Sequence, residues 1–173
     1  MDFFADYNKE DAFGVFNSLS VLIGGFLSNF VAGQISDRYE SRMHKIKPWT
    51  CVIMSLLGIV TNSLCYMTTF NFYFSMSMQF LTYLLAEGWM SQALSMIQFT
   101  IDAKYKGVAV ACFLCATAMF GSLGIFVVGQ LEKTMNIDTQ EQKGKLIAAN
   151  TAIPCLIASI CFYISGIYYG RVK

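Results

Sequence analysis

The chain has 173 residues, 55% of them hydrophobic and 13% charged, with a formal net charge of +1. A soluble domain carries roughly 25% charged residues, so this chain lacks the polar surface that water demands. The near-zero charge also excludes nucleic acid as a partner, because no basic stripe exists to neutralise phosphates.

The first segment, Met1 to Asp11, carries Asp2, Asp6, Glu10 and Asp11 against Lys9. Secretory and mitochondrial leaders begin basic, so none is expected here. Beyond it the charges fall into clusters. Residues 12–36, 48–86, 88–101, 107–131 and 146–170 carry none. About 20 apolar residues at roughly 1.5 Å rise each span a bilayer core. The long run from Pro48 to Ile101, broken only by Glu87, fits two spans. Its natural break is Thr68-Thr69-Phe70-Asn71-Phe72, where polar residues meet aromatics that favour the membrane interface. The expected fold is all-α: a single transmembrane domain over 1–173, with helices near 12–35, 48–68, 72–101, 107–131 and 147–170. Transmembrane strands would need apolar and polar residues to alternate, and these runs are continuously apolar.

Five crossings place Arg38, Arg42, Lys45, Lys47, Lys104, Lys106, Arg171 and Lys173 on one side of the membrane. Lys9, Lys133, Lys143 and Lys145 fall on the other. The positive-inside rule then sets the N-terminus outside and the C-terminus inside.

In the first helix Gly25, Asn29 and Gly33 recur every four residues, with Gly24, Ser28 and Ala32 beside them. Small residues at this spacing let a second backbone come close, which drives helix pairing in lipid. The fourth helix repeats the theme with Gly121 and Gly124. The alternative is the ordinary glycine content of membrane helices. Pro48 suits a helix start, whereas Pro154 should kink or loosen the last helix. Residues Glu132 to Lys145 read as a solvated loop or a short surface helix.

Glu87 is the one ionisable acid or base expected inside a span. A charge at that depth costs a few kcal/mol or more and calls for a partner or a cavity. Three states are open: a protonated acid, a hydrogen bond to Ser91 or Gln92, or a partner on another protein. Its role is then proton coupling, substrate contact or structural bonding between helices. The six cysteines all lie in apolar runs, where cysteine packs as a small apolar residue. Cys112 and Cys115 form a C-x-x-C with no second pair to make a zinc site. His44 sits in the basic loop. No catalytic triad or carboxylate pair can be assembled from this inventory. The expectation is a non-enzyme without cofactor or metal.

The segment Gly33-Gln34-Ile35-Ser36-Asp37-Arg38-Tyr39-Glu40-Ser41-Arg42 resembles the signature loop of the major facilitator superfamily, roughly G-x-x-x-D-R-x-G-R-R. Gly33, Asp37 and Arg38 match by position. Glu40 stands where the family has glycine, and Ser41 precedes Arg42 where the family has a pair of arginines. In that family the acid and the basic residues latch neighbouring helix ends on the cytoplasmic side. A second stretch, Ala86-Glu87-Gly88-Trp89-Met90-Ser91-Gln92-Ala93-Leu94 followed by Lys106-Gly107-Val108-Ala109-Val110, is similar to the Spinster-like branch.

The resemblance implies helices equivalent to 8–12, the C-terminal half of a twelve-helix transporter, because a degraded signature suits the second copy. Alternating access needs two halves around one site. The first expectation is therefore a transporter-derived accessory or scaffold subunit of a larger membrane complex. The alternative is the C-terminal half of a solute transporter working by alternating access, with proton coupling through Glu87 left open. Partners are membrane lipid and other transmembrane subunits or a complementary half. A small-molecule substrate, and the choice between mitochondrial inner, endolysosomal and plasma membrane, stay open.

Overall fold

The computed structural model describes residues 10–40, 43, 45–67, 72–135 and 139–172. Uncharged runs become helices because a backbone in hydrocarbon must satisfy its own polar groups. In chain order these are α1 (Glu10–Leu19), a π-helical turn (Ser20–Gly24), α2 (Gly25–Glu40), α3 (Ile46–Met67), α4 (Phe72–Ala86), α5 (Trp89–Thr100), α6 (Lys106–Thr134) and α7 (Gln140–Val172). No strand occurs among the described residues.

Four uninterrupted helical stretches there are long and apolar enough to cross a membrane: Phe13–Glu40, Ile46–Met67, Lys106–Thr134 and Glu141–Tyr169. The segment expected as one helix over 72–101 is instead two. It opens at Glu87 and Gly88, where the bonds from the Glu87 N–H to the Tyr83 carbonyl and from the Met90 N–H to the Glu87 carbonyl both stretch to 3.4 Å. Contacts along α3 show that the broken pair still runs the full length of its neighbour. Cys65, near one end of α3, donates to the Ser75 carbonyl of α4 at 3.3 Å. Lys47, at the other end, donates to Ser95 Oγ of α5 at 2.7 Å. Together α4 and α5 occupy the place of the expected third span, beside the four stretches long and apolar enough to cross.

The centre of the bundle is α3. Its buried residues Lys47, Cys51, Ser55, Gly58, Thr61 and Cys65 follow a three- and four-residue spacing down one face. Most are small, which lets α4, α5 and α7 approach. A Cβ on Gly58 would lie 2.9 Å from the Ala86 Cβ, and one on Gly166 would lie 3.0 Å from the Pro48 Cβ. Helix α6 has no buried residue and touches α5 and α7. Its large apolar side chains, Phe120, Ile125 and Phe126 among them, face outward.

The stretch over 132–145, expected as a solvated loop or a short surface helix, is taken up largely by the ends of two long helices. Helix α6 runs to Thr134 and α7 begins at Gln140, seven residues before the expected start of the last span. An ion pair of 2.8 Å between Glu132 and Lys143 ties the two ends together. A helix that leaves the bilayer keeps its hydrogen bonds in water, so loss of apolar character does not end it. For the same reason α2 continues to Glu40, past the expected end at residue 35. Pro154 lies inside α7.

Candidate functional site: a cavity beside Glu87 and a lysine-centred cluster

The first helix presents one small-residue stripe to the rest of the chain. Ser20, Gly24, Ser28, Ala32 and Ser36 are buried. A strict spacing of four drifts around a helix of 3.6 residues per turn. The wider π turn at Ser20–Gly24 takes up part of that drift. Gly24 is the tightest point, since an added Cβ would meet the Tyr83 Cβ at 3.0 Å and the Leu84 nitrogen at 3.3 Å.

The neighbouring stripe, in which Gly25 and Gly33 were expected to pair helices, looks elsewhere: neither has anything within 4 Å of an added Cβ. Gly121 is equally open, and Gly124 meets only the Asn150 side chain, at 3.9 Å. In the first helix the close approaches are made by Gly24 and Ala32, one position before Gly25 and Gly33. Gly24→Ala should therefore cost about 1–3 kcal/mol by overpacking. Gly25→Ala should change stability by about 0.5 kcal/mol or less. Thermal unfolding of the two variants in detergent, followed by helical circular dichroism, checks the contrast.

Asn29 does something the packing pattern did not foretell. Its Nδ2 donates to the Gly25 carbonyl at 2.9 Å, and its Oδ1 accepts the Ser91 N–H at 3.3 Å. Ser91 is the third residue of α5, where backbone N–H groups have no partner inside their own helix. A side chain of α2 thus caps the helix that restarts after the break. Gly88 makes the same junction compact. A Cβ there would lie 2.7 Å from the Ala32 Cβ and 2.7 Å from the Met54 Cε. Around it the α2–α5 seam is polar, with Ser28 Oγ, Ser36 Oγ and Gln92 Oε1 buried and lacking hydrogen-bond partners among the described residues.

Glu87 sits at this break, half-buried. The expected bonds to Ser91 and Gln92 are not formed. Ser91 Oγ donates to the Gly88 carbonyl at 3.0 Å, and Gln92 Nε2 points to Ser91 Oγ at 3.5 Å. The Glu87 carboxylate has no ion pair or hydrogen bond with another described residue. Glu87 lines a half-open cavity of about 340 Å³ bordered by four helices. Ser55, Gly58 and Asn62 come from α3, Thr82 and Ala86 from α4, and Trp89 from α5. Thr151, Pro154, Cys155, Ala158 and Phe162 come from α7. The Trp89 ring stands 6.2 Å from Phe162 and 6.4 Å from Phe113, so one indole joins α5, α6 and α7.

A second polar assembly lies at the end of the bundle that carries the basic loops. Lys47 is 5% exposed, which for a lysine requires partners. It pairs with Glu40 Oε2 at 3.1 Å and Asp37 Oδ1 at 3.6 Å, besides its bond to Ser95. Tyr169 of α7 donates its hydroxyl proton to Glu40 Oε1 at 3.4 Å. One ammonium group and one carboxylate therefore connect α2, α3, α5 and α7. Asp37 belongs to the signature segment, but the closer anion is Glu40, at the position where the facilitator pattern has glycine. Arg38 is exposed. Arg42 and His44 lie outside the described residues, as does the 68–71 part of the turn before α4. No His, Cys, Asp or Glu cluster able to hold a metal occurs among the described residues.

No family model matches the chain, and no solved structure matches it. Among curated proteins, an MFS-type efflux pump of Mycolicibacterium smegmatis is 25% identical over 148 residues. The chain is similar to a facilitator-type transporter. The match covers 85% of this chain and 34% of the pump, so the chain spans about a third of its relative's length. The all-helical bundle packed around α3 is consistent with half of a facilitator-type fold. Its polar groups gather at the cavity, the α2–α5 seam and the lysine cluster.

Proposed function

We propose that the chain is half of a facilitator-type solute carrier. Its cavity would form one side of the transport site, and the Lys47 cluster would hold helix ends together on the cytoplasmic face. The single observation that carries this reading is a polar-edged cavity with an unpaired acid between the helices of the bundle. A bundle kept only as scaffold has no reason to keep such a space, since voids and unpaired polar groups both destabilise. Similarity to an efflux pump across most of the chain supports the same reading.

The orientation with N-terminus outside and C-terminus inside belongs to the proposal, supported by the lysine and arginine placement. The Spinster-like assignment also belongs here, resting on Glu87-Gly88-Trp89 and Lys106-Gly107. Open glycines at 25, 33 and 121 and the outward apolar side chains of α6 would meet the complementary helices or lipid.

The test is gentle extraction of the protein from its native membrane, followed by mass spectrometry of the purified assembly. The expected result is a stoichiometric set of further facilitator-type helices, on the same polypeptide or on a companion chain. A stable complex with subunits unlike any transporter half would replace this reading with the accessory role that the sequence first favoured.

A further inference from the structure

The cavity takes its character from what Glu87 lacks. In the low-dielectric interior of a membrane protein an acid pairs with a cation, a hydrogen-bond donor or a cavity occupant. Here the neighbouring polar groups that line the space, Ser55, Asn62, Thr82 and Thr151, are neutral. Lysine 47, the buried cation of the bundle, is engaged with Glu40, Asp37 and Ser95. The rest of the wall is apolar, and two aromatic rings, Trp89 and Phe162, stand together on it. A ring face attracts positive charge, and more strongly when water is excluded.

An anion would meet an uncompensated carboxylate. A transition-metal ion would need a cluster of His, Cys, Asp or Glu ligands, and no such cluster is found among the described residues. A dication would be left with one charge unmatched. The volume of about 340 Å³ is near the lower end for small-molecule pockets, roughly 300–1,000 Å³.

We propose that this cavity binds an organic monocation with an apolar or aromatic body, its charge beside Glu87 and its body against Trp89 and Phe162. The assignment deepens the carrier reading, because it names the substrate class of the same site. The two nevertheless fail separately. Charge-selective binding by a chain whose native complex lacks transporter helices would leave this assignment standing and end the carrier reading. A native carrier that binds no cation would do the reverse.

The experiment is equilibrium dialysis of tritiated benzyltrimethylammonium against the full chain in lipid nanodiscs. N-benzylacetamide, neutral and of similar size, and benzenesulfonate, an anion, serve as competitors. Saturable binding of the cation is expected. Glu87→Gln should weaken it about tenfold or more, and Glu87→Asp should keep it within about threefold. The neutral competitor should be at least about tenfold weaker than unlabelled cation, and the sulfonate inactive. Helical circular dichroism and gel filtration of both variants show that the fold survives, and Glu87→Asp carries the test should the glutamine variant misfold. Absence of saturable binding to the native chain overturns the proposal. So does equal binding by Glu87→Gln, or competition by N-benzylacetamide as strong as by the cation.

Discussion

Replacing Lys47 with methionine should destabilise the bundle by about 3 kcal/mol, the order found when one member of a buried ion pair is removed. The substitution conserves length and apolar stem, so packing changes little. What is lost is the charge facing Glu40, whose side chain is 18% exposed and cannot turn freely to water. Asp37 contributes less, since its side chain is 74% exposed and solvent screens it. Asp37→Asn should therefore cost about 1 kcal/mol or less. Adding Glu40→Leu to Lys47→Met should recover part of the loss, because no buried charge is then left unmatched. Denaturant-induced unfolding in mixed micelles, monitored by tryptophan fluorescence, reads all four proteins. Equal stability of Lys47→Met and the native chain would mean that the lysine reaches water and that the cluster does not hold the helix ends.

Gly88→Val should cost more than 2 kcal/mol, the middle of the range for inserting methyl groups into a packed interior being about 2 kcal/mol. The first carbon added already falls 2.7 Å from both the Ala32 Cβ and the Met54 Cε. The methionine can swing aside. The alanine cannot, because its Cβ moves only with α2. Gly88→Ala should accordingly be milder and be rescued in part by Ala32→Gly, whereas Met54→Ala should rescue it less. The same unfolding assay measures the pairings. A second readout follows from position: parting α2 from the break should also lengthen the bond between Asn29 and the Ser91 N–H, so hydrogen exchange at the start of α5 should quicken.

Much of the architecture was legible because hydrocarbon imposes few options. Charge-free runs of the right length must be helices, and the placement of α3, α6 and α7 follows from that one constraint. The interruption at Glu87 was not legible. An acid followed by glycine in an apolar run reads equally well as a continuous helix or a broken one. What decides between them is whether other helices supply partners for the freed backbone. Here Asn29 does so from α2, a contact 62 positions away in sequence.

The stripe that packs inside the chain, one position from the glycines singled out for outside partners, was not legible for a similar reason. Gly24 and Gly25 are neighbours, each heads a four-residue series, and the two series lie about 100° apart on the helix. Only the partner's location chooses between them. Lys47 was placed in the basic loop, although a signal existed. It falls four residues before Cys51 and eight before Ser55, on the small, buried face of α3. Glu40, read as a departure from the family pattern, turned out to be the nearer anion for that lysine.

Proline 154 gives the last helix a particular mechanical character. Without an N–H, it leaves the Asn150 carbonyl with no donor from its own helix one turn on. Helix α7 is therefore softest at the level where it borders the space next to Glu87. Swinging residues 140–153 about that point works against three crossing main-chain bonds instead of four, and it moves Thr151 relative to Cys155. The room available to an occupant and the tilt of the helix beyond the proline are thus one coordinate. Filling or emptying the space would be felt at the membrane surface near Glu132 and Lys143.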